Sequence, residues 1–229
     1  MSETALIVGA GAGLSASLAR LFSANGMKVA LAARNTDKLA GLASEVGALT
    51  QACDVSDKTS VASLFDWMDG ALGSPDIVVF NASKRARGPI IDLDPDDVLA
   101  ATTVTCHGAF LVAQQAAKRM LKAGHGTILL TGASAGVKGY PQSAPFAMGK
   151  FGLRGLAQSM ARELHPQNIH IGHFVIDGGI RTENDQREKP GENKLLDPDA
   201  IAESYLHFHR QPRSSWAWEI ELRPWKETF

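Results

Sequence analysis

Near its N-terminus the chain sets an apolar run, Ala5-Leu6-Ile7-Val8, directly against Gly9-Ala10-Gly11-Ala12-Gly13, and Leu14, Leu18, Leu21 and Phe22 follow at helical spacing. No other feature limits the fold as much. A short continuous apolar run ending in glycine marks a strand buried on both faces, as in a parallel sheet. The glycines allow a tight turn and let backbone approach a bound group at a helix start, where free amides and the helix dipole favour an anion. Parallel strands need crossover connections, so this unit requires further strand–helix pairs downstream.

The rest of the sequence supplies them. Strand patterns fall at residues 28–33, 48–53, 76–80, 127–131, 169–176 and 216–222. Helical patterns fall at residues 37–46, 57–72, 95–121 (in two segments), from 144 onward and at 198–209. Leu153, Leu156, Met160 and Leu164 mark one face of the long helix after residue 144. This alternation predicts a doubly wound, Rossmann-type α/β fold: a parallel sheet of about seven strands with helices on both faces. At 229 residues and 45% apolar content, with no linker or repeat, residues 1–229 are expected to form one domain. The net charge of −1 argues against broad attraction to nucleic acid or an anionic membrane. Cys53 and Cys106 are too few for a disulfide framework. With no signal-like segment and no apolar run near the roughly 18 residues of a membrane span, a cytoplasmic location is expected.

The residues between these elements carry a consistent set of motifs. Cys53-Asp54-Val55 follows the third strand, Asn81-Ala82-Ser83 the fourth, and Gly178-Gly179-Ile180-Arg181-Thr182 the sixth. The segment Phe146-Ala147-Met148-Gly149-Lys150 opens the long helix. In this order, over residues 4–182, the chain resembles the short-chain dehydrogenase/reductase family. Gly9 and Gly13 match the first two glycines of that family's GxxxGxG, and Ser15 replaces the third, adding a small side chain where helix and strand pack closely. The resemblance implies a nicotinamide dinucleotide held by Gly9, Gly11, Gly13 and Leu14 at the first turn. Asp54 and Val55 would border the adenine, Asn81 and Ala82 would follow strand four, and Lys150 would bind ribose. Ile180 and Thr182 would face the nicotinamide amide. Asp177 stands where the family usually has proline, which puts the path of that loop in question.

Strand two ends Ala32-Ala33-Arg34-Asn35, without the carboxylate that would bond a ribose 2′-hydroxyl. An arginine there suits a 2′-phosphate, so NADP(H) is expected over NAD(H); the plainer alternative is a solvated strand-end arginine.

The catalytic half of the resemblance is incomplete. The family combines Asn, Ser, Tyr and Lys, with Tyr four residues before Lys. Here Phe146 takes the Tyr position, and a benzyl ring cannot pass a proton to a carbonyl oxygen. About thirteen residues earlier stands Ala133, with Ser134 beside it, and Thr105 takes the Asn position; only Lys150 matches. Acid–base assistance is typically worth about 10²–10⁴-fold in rate, so ordinary carbonyl reduction should suffer badly. Tyr140 and Ser134 are candidate substitutes, although Gly139 and Pro141 favour a turn around Tyr140. Lys150 can donate a proton through water or simply bind ribose.

His107, the pair His170 and His173, and the pair His207 and His209 have poor spacing for shared metal ligation. Lys84, Arg85 and Arg87 either attract an anionic substrate or form a solvated loop, and residues 181–196 are expected to close the substrate side. A homodimer or homotetramer is expected through the helix from residue 144, where Phe151, Gly152, Gly155 and Ala157 allow close approach. Two functions follow. One is an NADP(H)-dependent oxidoreductase with non-standard proton donation, for which an activated alkene is a candidate substrate. The other is a non-catalytic cofactor-binding or interaction protein.

Overall fold

The computed structural model describes residues 2–182, 185–187 and 194–226. Its centre is a wholly parallel sheet of seven strands in the order β3-β2-β1-β4-β5-β6-β7. The strands are β1 (Thr4–Val8), β2 (Lys28–Ala33), β3 (Leu49–Ala52), β4 (Ile77–Phe80), β5 (Gly126–Thr131), β6 (Ile169–Ile176) and β7 (Glu219–Leu222). The helices are α1 (Leu14–Ala24), α2 (Ala40–Val46), α3 (Lys58–Ala71), α4 (Pro95–Thr102), α5 (Gly108–Ala123), α6 (Ala144–Leu164) and α7 (Pro198–His209). Asp57, Asp94 and Asp197 start α3, α4 and α7 by accepting first-turn amides on their carboxylates.

Strand period two divides the core. Leu6, Val8, Val78 and Phe80 pack with Phe65 and Met68 of α3 and Leu153 of α6. Ala5, Ile7, Leu31 and Val79 pack on the other face with Leu18 and Phe22 of α1 and Tyr205 and Phe208 of α7. The strand order reverses between β1 and β4, which opens a crevice at their carboxyl ends. Among the described residues no helix is long and apolar enough to cross a membrane.

Several elements differ from expectation. The second helical segment begins as a 3₁₀ turn over Asp37–Leu39. Between α4 and α5 the chain does not break but passes through a π-helical turn, Thr103–His107. Residues 216–218 lie outside β7: Trp216 stacks on His170 at 4.3 Å and the Ala217 carbonyl accepts a 2.9 Å bond from His170 Nε2, while the Trp218 carbonyl still accepts the His173 amide of β6 at 2.8 Å. On α6, Ala157 is fully buried in the core, and a Cβ on Gly152 would lie 2.7 Å from Cys106 Sγ. Those two small residues therefore serve packing within the chain, whereas Phe151 and Gly155 are exposed.

Candidate functional site

Gly9 turns the chain out of β1 at φ +83, and a Cβ there would sit 2.6 Å from Ala82 Cα in the loop after β4. Only glycine permits both the left-handed backbone and that approach. The Gly9 and Ala10 amides donate to the Ala32 carbonyl at 2.9 and 3.0 Å, while the Asn81 amide donates to Val8. Ser15 joins the two loops. Its hydroxyl donates to the Gly9 carbonyl at 3.3 Å and accepts Asn81 Nδ2 at 2.7 Å. The side chain expected only to alter packing is thus a buried polar link.

At the start of α1, Gly13 supplies no capping side chain and the first turn carries no acid. Gly11 and Gly13 have open space where a Cβ would be. Amides left this way suit an anion. They border a cavity of about 590 Å³ that also reaches Lys38, Thr182 and Asp199. Leu14 opens the helix but its side chain is buried in the core, so only its backbone is available to a ligand.

A second cavity of about 610 Å³ lies over β1, β2 and β4, lined by Gly9, Arg34, Lys38, Asp54, Val55 and Ala82 among others. Arg34 has no ion-pair partner among the described residues. Asp54 accepts the Ser56 hydroxyl at 2.6 Å and its amide at 2.9 Å. These bonds, with Arg34 nearby, hold its carboxyl below the usual range. The open glycines, the uncapped helix start and the cations at the β2 end together fit a phosphate-bearing dinucleotide. Gly9, Gly11, Gly13, Arg34, Asp54, Val55, Asn81 and Ala82 would surround it.

The third cavity, about 660 Å³, lies over the ends of β4, β5 and β6 and shares Asn81 and Ser83 with the second. Phe146 and Lys150 enter it one turn apart on α6. Lys150 is 4% exposed, and its Nζ donates to the Thr131 carbonyl at 2.6 Å. Burial, and then the charge of Arg85, push its ammonium down to about 7. Two cations attend the Phe146 ring, with Arg85 Cζ 4.3 Å and Lys150 Nζ 5.7 Å from its centroid. Ala133, Ser134 and Tyr140 also line this cavity, so both adjacent candidates for the serine position face one space.

Thr105 does not reach it. It is buried in the π-helical turn, where its hydroxyl accepts the Lys84 amide at 3.3 Å and donates to the Lys84 carbonyl at 3.4 Å. Gly149 of α6 packs so closely on it that a Cβ would meet Thr105 Cβ at 2.9 Å. Thr105 therefore fixes the loop after β4.

The charged loop splits: Lys84 pairs with Asp97 at 3.0 Å, whereas Arg85 and Arg87 line the cavity. Ile180 lines the same cavity, and Thr182 lies at the first, its hydroxyl donating to Asp185 at 3.0 Å. Arg187 pairs with Asp185, holding that carboxyl far below the usual range, and donates to the Ile180 carbonyl at 2.6 Å. Asp177 keeps the loop after β6 on course. Its amide donates to Leu222 at 2.8 Å, as proline could not, and its carboxylate meets Arg223 at 3.2 Å and Lys138 at 3.4 Å. The rest of the loop expected to close the substrate side, residues 183–184 and 188–193, lies outside the described residues.

Sequence reasoning missed Lys38, Ser143 and Arg187. Lys38 had a signal, since it is a second cation four residues after Arg34, in the 3₁₀ turn that follows β2; Ser143 stands directly before α6, where a helix start recruits serine. Among the described residues the histidines stand apart or are engaged elsewhere. His107 is exposed, His170 stacks between Phe208 and Trp216, and His173 Nδ1 meets Glu219 at 3.0 Å. Among the described residues no His, Cys, Asp and Glu cluster could hold a metal ion.

A family model for short chain dehydrogenase matches residues 3–193. An uncharacterized oxidoreductase of Staphylococcus aureus (strain N315) is 28% identical over 97% of each chain. The crystal structure of a short-chain dehydrogenase from Rhodopseudomonas palustris superposes with a TM-score of 0.84 at 32% identity, covering 97% of this chain and 99% of the other. A metagenomic short-chain oxidoreductase, solved in complex with NADP, superposes with a TM-score of 0.85 at 26% identity over 98% of each chain.

Proposed function

The chain belongs to the short chain dehydrogenase family, and we propose that it is an NADP(H)-dependent oxidoreductase in which Phe146 occupies the place of the proton-donating tyrosine. The observation carrying this reading is Phe146 itself, one turn before a buried Lys150 in a cavity that adjoins the nucleotide crevice. A bound nicotinamide supplies hydride chemistry at a substrate carbon. Arg85 stays charged, so it contributes field rather than a proton. An amine poised near neutrality, as Lys150 is, can hold or release one. Ser134 and Tyr140 offer hydroxyls to a substrate oxygen. An activated alkene suits this set, because its later proton can come from water.

The preference for NADP(H) rests on Arg34 and Lys38 beside a β2 end that lacks a carboxylate. We further propose a cytoplasmic protein, with Cys53 and Cys106 as free thiols, and a homodimer or homotetramer through the exposed Met148 and Phe151 of α6.

Calorimetric titration with NADPH and NADH, paired with turnover on ketones and enones, tests the function. NADPH should bind more tightly, and Arg34→Ala should cost about 1.5–3 kcal/mol of NADPH binding, the usual worth of a charge-assisted bond. Turnover should be confined to enones. Equal affinity for the two nucleotides would refute the preference, and no binding of either would refute the cofactor. Tight NADPH binding without any turnover would identify a non-catalytic binding protein.

A further inference from the structure

We propose that the cavity beside Phe146 takes a substrate carrying a carboxylate next to an apolar body, with Arg85 and Arg87 as the groups that bind the acid. This deepens the oxidoreductase reading and rests on it.

The loop bearing the arginines is built rather than loose. The Asn81 amide is tied to Val8, both backbone groups of Lys84 to Thr105, and the Gly88 amide to the Gln142 carbonyl at 3.1 Å. Its three cations have separate fates. Lys84 is matched by Asp97, but Arg85 and Arg87 have no acidic partner among the described residues. Lys150 adds a third charge whose only hydrogen-bond partner there is a neutral carbonyl. Among the described residues no Asp or Glu lines this cavity, and the remaining cation there, Arg187, is already matched by Asp185.

Like charges gathered this way repel. Burial, followed by the Arg87 charge, lowers the proton affinity of Arg85, and Arg85 does the same to Lys150. An anion relieves that repulsion. The cofactor's phosphates do not supply it, because their favoured places are the start of α1 and the Arg34–Lys38 end, in the other two cavities.

The shape of the donor selects the anion. Arg85 Cζ lies over the Phe146 ring, 4.3 Å from its centroid, and the planar N–H fork of a guanidinium suits a planar, two-oxygen acceptor. Phe146, Ile176 and Ile180 supply an apolar wall beside it. A carboxylate attached to an apolar chain or ring meets both surfaces.

The test uses the full-length protein with saturating NADP+ and calorimetric titration of matched pairs, cinnamate against cinnamamide and hexanoate against hexanamide. The acids should bind at least about tenfold more tightly than their amides. Arg85→Ala should erase the difference and Arg87→Ala should reduce it. Arg85→Lys, which keeps charge without the fork, should restore only part, while NADPH affinity of all three variants stays native. Equal binding of acid and amide, undiminished acid binding by Arg85→Ala, or no acid binding while NADPH binds normally would each overturn the proposal. Repeating the titration without nucleotide separates the two readings: a protein that holds the acids but no nucleotide would overturn the cofactor assignment alone.

Discussion

Around the crevice between β1 and β4 the constraints are carried by backbone, whereas around the cavity beside Phe146 they are carried by side chains. Gly9 must be glycine because of its φ and its approach to Ala82, and the α1 start has no side-chain cap. On the other side, Phe146, Ala133 and Ser134 sit on an ordinary helix and an ordinary turn that accept many residues without a change of path. The crevice end can therefore stay fixed while side chains at the other end change.

The largest expected effect breaks the backbone side. Gly9→Val should abolish NADPH binding, since the strained backbone alone costs about 1–3 kcal/mol and the Cβ would also push the β4 loop away. Gly13→Ala, in open space, should be milder in both melting temperature and nucleotide titration. Native-like binding by Gly9→Val would deny the asymmetry.

A smaller effect should come from rebuilding the side-chain end. Phe146→Tyr with Ala133→Ser should raise ketone reduction by up to about 10²-fold and beyond the product of the single changes, as residues acting as a unit do. Steady-state assays decide it. Strong native ketone turnover, indifferent to either change, would put the proton on another group such as Ser134 or Tyr140.

The smallest effect concerns pH. Burial pushes His170 and His173 down to about 4. The unfolded chain therefore binds more protons than the folded one between pH 6.5 and 4. The stability these histidines contribute is complete above 6.5 and is lost as pH falls through 4. Lys150 acts in a separate window: its charging penalty is complete below about 7 and fades toward 10.5. Melting temperature should fall from pH 6.5 to 4, and His170→Phe should flatten part of that slope. An unchanged slope would show that His170 does not carry it.

The strands and helices were legible because buried parallel strands are continuous apolar runs and their helices repeat at 3.6 residues; β6 and α7 fall at the expected residues. The tight turn after β1 was legible because glycine spacing records backbone demands directly. What the sequence hides is which charges meet. Nothing local to Lys84, Arg85 and Arg87 says that the first faces Asp97, thirteen residues on, while the next lies on Phe146. Nor does local pattern distinguish an inward small residue such as Ala157 from an outward one such as Gly155.

The Ser15 link between the Gly9 carbonyl and Asn81 has a kinetic consequence. It joins the turn that would meet the pyrophosphate to the loop that carries Arg85 and Arg87, so displacement of one is felt by the other. Nucleotide arrival should then steady the arginines, so that the second ligand binds more tightly after it and addition is preferentially ordered. Ser15→Gly would leave both cavities in place yet let the ligands add at random, a change visible in product-inhibition patterns even if affinity for each alone stays the same.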